Sequence, residues 1–169
     1  MKKLLLCSIL GFVSLVGCTT TYSLNTKSNV SVAKMKVDSV NVTLKQKYDN
    51  PVFYSQADIE TYVSNCLVTE LSKEGKYQAN ANAGLDIDVE YRRIYSGEAF
   101  GMKKSIGSPE IAYSYQVVSD DKILQQNEEK ELFVNAGLLG NFNYVGNTEK
   151  EDENMYIDAL CRHIAQKIY

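Results

Sequence analysis

Hydrophobic and polar residues alternate along four segments of the chain, and two further segments repeat hydrophobic residues at helical spacing. Alternation with a period of two is typical of strands with one buried face, and it predicts strands at 35–48, 85–95, 111–118 and 122–134. Spacings of three and four residues predict amphipathic helices at 56–74 and from about 148 onward. This order predicts a single α+β domain with two helices on one face of a mostly antiparallel sheet of about four strands.

Both predicted helices start at capping-box spacings. Ser55 and Asp58 suit the first helix, and Thr148 and Glu151 suit the second. Gly75 suits the end of the first helix, because glycine adopts the left-handed conformation that often ends helices. Each helix carries one hydrophobic stripe: Ile59, Tyr62, Val63, Cys66, Leu67 and Leu71 in the first, and Tyr156, Ile157, Leu160, Cys161, Ile164 and Ile168 in the second.

The first eighteen residues follow a different pattern. Lys2 and Lys3 precede a hydrophobic run that ends at Cys18. The run is too short to span a membrane as a helix and is typical of a secretory signal. The sequence Leu-Val-Gly-Cys at 15–18 resembles the lipobox of bacterial lipoproteins, which implies a signal peptide at 1–17 and a Cys18 that carries acyl chains. The alternative is an ordinary signal peptide with a chance cysteine.

Residues 18–34 are rich in Ser, Thr and Asn and predict a lipidated cysteine followed by a flexible tether. Thr19 stands where enteric-type lipoproteins retained in the inner membrane carry Asp. The resemblance therefore implies an outer-membrane anchor for a domain at 35–169 that faces the periplasm or the cell surface. Cleavage leaves 152 residues with a formal charge of −5, against −3 for the full chain, which argues against a nucleic-acid partner.

Two cysteines remain besides Cys18 after cleavage, and both lie on helix stripes. Cys66 and Cys161 would occupy an oxidising compartment, which favours a disulfide between the facing sides of the two helices. In the chain-entropy model, closing a loop of roughly 95 residues contributes about 4–5 kcal/mol. The alternative is two buried free thiols that act as small hydrophobic side chains.

Few residues suggest catalysis. His163 is the one histidine of the chain and is predicted to be a solvated residue beside the second stripe. Asp86, Asp88 and Glu90 alternate with hydrophobic residues and predict a solvated strand face. No zinc-binding spacing and no phosphate-binding loop is present. The sequence therefore predicts no enzymatic activity, no cofactor and no metal site.

Two groups of side chains suggest contacts with other molecules. Segment 137–146 either folds over the core, which we favour, or contacts a partner through Leu138, Leu139, Phe142 and Tyr144. A surface for stacking sugars or small ligands would use Tyr48, Tyr54, Tyr95 and Tyr144. The sequence favours a non-catalytic lipoprotein that binds another envelope protein. The alternative is a small-ligand or glycan-binding module.

The layout of the chain resembles small bacterial outer-membrane lipoproteins of unknown function. It is also similar to the soluble α+β domains of the curli-secretion lipoprotein and of the Tol system's propeller protein. The resemblance rests on the lipobox, the helix at 56–74, the strand LDIDVEYRRIY, the glycine-rich loops and the terminal helix. It implies the fold but no export activity, because the sequence lacks the pore-forming segments of the curli channel.

Overall fold

The computed structural model describes residues 31–95, 105–132 and 149–169. Six regular elements follow in order: β1 (Met35–Lys45), α1 (Gln56–Lys73), β2 (Ala83–Arg92), β3 (Glu110–Ser119), β4 (Lys122–Leu132) and α2 (Asn154–Lys167). A short 3-10 turn at Lys150–Glu153 leads into α2. The four strands and α1 lie within about three residues of the segments that the sequence pattern predicts, whereas α2 begins later than predicted.

The four strands form one sheet in the order β1-β2-β3-β4. β1 and β2 are parallel, because α1 returns the chain to the end of the sheet at which β1 began. β2, β3 and β4 are joined in antiparallel fashion. Asp120 and Asp121 have positive φ in the two-residue turn between β3 and β4, as tight hairpin turns require. The predicted α+β domain with a mostly antiparallel sheet is confirmed.

One face of the sheet packs against the helices, and the other is polar. On β2, the residues Leu85, Ile87, Val89 and Tyr91 are buried in the core, together with residues of both helices. On the opposite face, the carboxylates of Asp86 and Asp88 accept hydrogen bonds from Ser39 and Asn41 of β1, and Glu90 pairs with Lys45 at 2.6 Å. The predicted solvated strand face is therefore confirmed.

The first predicted capping box is present. The Asp58 N–H donates to Ser55 Oγ at 3.2 Å, and the Ser55 N–H donates to Asp58 Oδ2 at 3.0 Å. These bonds satisfy backbone groups that the first turn of a helix leaves unpaired. Beyond the C-terminal end of α1, Gly75 has φ +69°.

The start of the second helix differs from the prediction. The predicted cap residue Thr148 lies outside the described residues. The next pair at capping-box spacing is in contact, since the Glu149 N–H donates to Asp152 Oδ2 at 2.9 Å. A 3-10 turn follows, and α2 begins only at Asn154. This turn places Glu153 in the interior, where it is fully buried.

The outer edge of β1 is covered by side chains of α1. The Val42 N–H donates to Glu60 Oε1 at 3.2 Å, and the Leu44 N–H donates to Gln56 Oε1 at 3.3 Å. Backbone donors on an edge strand otherwise remain available for pairing with another strand. The polar face of α1 thus occupies part of this edge.

The chain enters and leaves the domain at the same end. Val32, within the predicted tether, is buried, and its N–H donates to the Tyr169 carbonyl at 3.0 Å. We call this the tether end; it also holds the start of β1 and the turn between β3 and β4. The opposite end, where β1 and β2 finish and β3 starts, is called the far end.

Candidate functional site

The predicted lipidation and partner-contact residues lie outside the described residues. They are Cys18, Leu138, Leu139, Phe142 and Tyr144. The segment that holds the last four joins β4 to the turn before α2. Its flanking residues, Leu132 and Glu149, both lie at the far end, because β4 finishes beside the start of β3 and Glu149 begins the turn that leads to Glu153.

A buried ion pair lies at the far end. Arg93, directly after β2, donates from Nε to Glu153 Oε1 at 2.9 Å and from Nη2 to Glu153 Oε2 at 2.8 Å. Both side chains are almost fully buried, with 2% and 0% exposed. A two-point contact of this kind is the strongest geometry for an arginine and a carboxylate. It joins the start of α2 to the end of the sheet.

Further groups occupy the remaining polar atoms of this pair. Tyr91 Oη donates to Glu153 Oε1 at 3.1 Å, and the Tyr54 N–H donates to Glu153 Oε2 at 3.2 Å. Arg93 also donates to the Tyr54 carbonyl at 2.7 Å and to the side chain of Gln46. Because the guanidinium is satisfied within the fold, this cluster holds the far end together and offers no binding site for an external anion.

The electrostatics of the cluster agree with that role. Burial acts against the charged guanidinium, but the hydrogen bonds and the charge of Glu153 outweigh it and raise the pKa of Arg93. Burial, followed by the nearby charge of Glu153, raises the pKa of Tyr91 well above its ordinary value. Arg93 therefore stays charged and Tyr91 stays neutral at physiological pH.

A second polar cluster joins β4 to α2. His163 Nε2 lies 3.0 Å from Glu129 Oε2, and Tyr113 Oη donates to the same oxygen at 2.9 Å. The rings of Tyr113 and His163 meet edge to face, with centroids 6.0 Å apart. The prediction of a solvated His163 holds in part, because its side chain is 30% exposed and its Nε2 contacts Glu129.

This second cluster contains a carboxylate–imidazole pair, but its neighbouring hydroxyl is not activated. Burial, followed by the hydrogen bond to Glu129, raises the pKa of Tyr113 far above its ordinary value. A nucleophile needs a lowered pKa or a base that removes its proton. We therefore interpret this cluster as a structural contact that joins the sheet to α2.

The tyrosines predicted for ligand stacking do not share one surface. Tyr95 is buried, and its ring contacts those of Phe53 and Tyr48 at about 6 Å. Tyr54 instead faces α2 and donates to Asn154 at 2.9 Å. Tyr95 is therefore not available for stacking a ligand, whereas Tyr48 and Tyr54 are partly exposed. Tyr144 lies outside the described residues.

The two helix cysteines meet between α1 and α2. Cys66 and Cys161 form a disulfide in this structure, with their Cα atoms 6.0 Å apart. Cys161 is fully buried and Cys66 is 8% exposed. The predicted adjacency of the two helices is thus confirmed, and the separation falls within the range that a disulfide can bridge.

The open face of the sheet carries a shallow depression at the far end. Its volume is about 460 Å³, and Ala112 lies among charged side chains that include Lys45, Glu90, Arg92 and Lys130. Two of these cations are paired on the face itself, since Lys45 contacts Glu90 and Arg92 contacts Glu110, each at 2.6 Å.

Within the described ranges, no three Asp, Glu, His or Cys side chains converge on a metal position. No described helix is long and apolar enough to cross a membrane.

No protein-family model matches the sequence, and no curated protein matches it. Among solved structures, the chain is similar to a PelC dodecamer from Paraburkholderia phytofirmans, at 12% identity and a TM-score of 0.34 over 75% of this chain and 92% of that one. It is also similar to a minor lipoprotein from Acinetobacter baumannii, at 14% identity and a TM-score of 0.36 over 82% and 92%. Similarity at this level does not assign a function.

Proposed function

We propose that this protein is a bacterial envelope lipoprotein, anchored in the outer membrane through acyl chains on Cys18, that binds another envelope protein without catalysing a reaction. The anchor proposal rests on the lipobox at 15–18 and on the lysines before it. Two or more acyl chains hold a protein stably at a membrane, whereas one does not.

The observation that carries the binding proposal is the opposite placement of the tether and the far end. Val32 joins Tyr169 at one end of the domain, whereas the charged depression lies at the other. The eleven residues of β1 separate these ends by about 33 Å at the usual rise per strand residue. The far end is therefore the part of the described fold most distant from Val32, where the predicted tether meets the domain. It is the surface that we assign to the partner.

Site-specific photo-crosslinking in cells tests this assignment. A photoreactive residue at Val52 samples the far end, and one at Ile123 samples the tether end. The two aliphatic side chains are matched, because each is 53% exposed. We expect adducts with one envelope protein from position 52 and none from position 123. Equal adducts from both positions, or adducts only from 123, would contradict the assignment.

Metabolic labelling with a fatty acid tests the anchor separately. Cys18→Ser removes the sulfur that the lipobox would modify, so the variant should lose the label and leave the membrane fraction. A labelled variant that stays with the membrane would contradict lipidation at Cys18. This result does not depend on whether a partner binds the far end.

The role of segment 137–146 is decided by Phe142→Ala. If the segment contacts the partner, this change weakens the complex and leaves the melting temperature nearly unchanged. If the segment covers the core and Phe142 is fully buried, unfolding becomes easier by about 3–5 kcal/mol. Unchanged stability and unchanged recovery of the partner would remove the segment from both roles.

A further inference from the structure

A groove runs along the outer surface of the two helices and reaches the disulfide. Its volume is about 440 Å³, and its lining includes Tyr62, Cys66, Lys73, Asp158 and Arg162. Cys66 is 8% exposed there, whereas Cys161 is completely buried on the core side. Cys66 therefore lines this groove, with its Sγ 3.6 Å from Asp158 Oδ1, whereas Cys161 does not line it.

We propose that the Cys66–Cys161 disulfide is a site of thiol–disulfide exchange and that a dithiol protein attacks it at Cys66 from the groove. The attacking thiolate forms a bond to Cys66 Sγ, the bond between the two cysteines breaks, and its electron pair leaves on Cys161 Sγ, which takes up a proton. The second thiol of the dithiol then displaces Cys66 as a thiol. Two electrons and two protons pass to this protein, and the dithiol becomes a disulfide.

Access decides which sulfur is attacked, because the nucleophile must reach the sulfur along the line of the breaking bond. Approach to Cys161 is closed by the core, where Ile157, Leu160 and Ile164 are also fully buried. Among the described residues, Cys66 is reached from the groove between the outer sides of the helices, which it lines. Exchange there breaks the covalent link between α1 and α2, which lie 95 residues apart in sequence at this pair.

The charges along the groove set how readily a thiolate approaches. Asp158 Oδ1 lies 3.6 Å from Cys66 Sγ and accepts a hydrogen bond from Tyr62 Oη at 3.2 Å. Lys73 pairs with Glu70 at 2.7 Å, and Arg162 is exposed. Because like charges repel, the Asp158 carboxylate disfavours an anionic nucleophile beside Cys66. Asp158 should therefore slow exchange. Exchange should be faster with a dithiol protein whose surface carries positive charge that compensates the Asp158 carboxylate.

Peptide mapping tests the site of attack. The full mature chain in detergent is treated with reduced glutathione under native conditions, quenched in acid, alkylated after unfolding and digested. We expect glutathione on Cys66 and the alkyl group on Cys161, at a rate that rises in proportion to glutathione concentration. Glutathione on Cys161, a rate that levels off at the unfolding rate, or two alkylated thiols before treatment would overturn the proposal.

Two matched variants provide a second test that does not depend on mapping. Cys161→Ser and Cys66→Ser lose the same covalent link, and each leaves one thiol. In native protein, we expect the thiol of Cys161→Ser to react with an aromatic disulfide reagent at least about tenfold faster than the thiol of Cys66→Ser. Equal rates, with both variants shown to be folded by circular dichroism, would contradict attack at Cys66.

Asp158→Asn separates local electrostatics from general loosening of the fold. The amide keeps an acceptor for Tyr62 but removes the charge, so exchange with glutathione should become several-fold faster and the gain should shrink at high salt. The melting temperature should stay the same. A faster rate that accompanies a lower melting temperature and ignores salt would show that the variant acts by unfolding, and would contradict the proposed role of the groove.

Discussion

Two polar side-chain pairs join the last part of the chain to the sheet, and they differ in how much water reaches them. Arg93 and Glu153 lie 2.8 Å apart with side chains 2% and 0% exposed. Glu129 and His163 lie 3.0 Å apart with side chains 31% and 30% exposed. The similar distances do not show which pair contributes more to stability. Burial decides how much stability is lost when one partner is removed.

The difference shows that burial determines how much a carboxylate contact contributes to stability. Glu153 accepts hydrogen bonds from Arg93, Tyr91 and the backbone of Tyr54, and water could not replace them without opening the far end. At Glu129, water reaches the carboxylate and can take over from the imidazole. A buried pair penalises the loss of one partner, whereas a half-exposed pair contributes little on its own.

Arg93→Ala should have the largest effect. It leaves the Glu153 carboxylate buried without its cation, and the free energy of unfolding should fall by about 3–5 kcal/mol, as measured by urea denaturation. Arg92→Ala is the matched control, because the neighbouring side chain is 58% exposed in its pair with Glu110; it should change stability by less than about 1 kcal/mol. Equal losses for the two variants would contradict the distinction drawn from burial.

A pair of tyrosine substitutions sharpens the comparison. Tyr91→Phe removes the hydroxyl that donates to Glu153, and Tyr113→Phe removes the one that donates to Glu129. We expect Tyr91→Phe to cost about 1.5–3 kcal/mol, as for hydrogen bonds to buried charged groups, and Tyr113→Phe to cost about 0.5–1.5 kcal/mol. Thermal and urea unfolding measure both, and the reverse order would mean that water access does not govern these bonds.

The dependence of stability on pH should report the half-exposed cluster. Burial acts to raise the pKa of Glu129, but hydrogen bonds from His163 and Tyr113 outweigh it and hold that pKa below its ordinary value. The unfolded chain therefore binds more protons in the acidic range, so this contribution is complete above about pH 5 and is lost as the pH falls through the folded-state pKa.

Glu129→Gln tests this dependence, because the amide keeps the size of the side chain and cannot titrate. The variant should lose less stability than the wild type between pH 6 and the acidic range, by about 0.5–1 kcal/mol. Urea unfolding across that range provides the measurement. Parallel curves for the two proteins would show that Glu129 does not contribute in this way.

Lys45→Ala should have the smallest effect. Its ion pair with Glu90 lies on the open face of the sheet, with side chains 53% and 46% exposed. Such pairs contribute about 0–1 kcal/mol, so unfolding should shift by no more than about 0.5 kcal/mol. A loss above 1 kcal/mol would imply that the open face is less solvated than its exposure indicates.

Sequence patterns predicted α1 well, because its signals are local. Ser55 and Asp58 mark its start, Gly75 follows its end, and the hydrophobic stripe selects the residues that enter the core. The same stripe placed Cys66 opposite Cys161, since two helices on one sheet face must turn these stripes toward each other. The helix and its stripe depend on residues a few positions apart, whereas the pairing of Cys66 with Cys161 also required the two helices to be neighbours on one sheet face.

The clusters at the far end and along β4 were not predicted, because their members are distant in sequence. Arg93 and Glu153 are separated by 60 residues, and neither has a neighbour that marks it as buried. One signal was available in the sequence. Arg93 continues the alternating positions of Val89 and Tyr91, so a charged residue stands where the pattern predicts a buried one.

The hydrogen bonds from Val42 and Leu44 to α1 limit how copies of this protein can associate. Continuous fibre growth by strand addition requires an accepting edge at both sides of every sheet. Here, side chains of the same molecule already occupy donors on one side. A strand that approached this edge of β1 would first have to displace Glu60 and Gln56 from these donors.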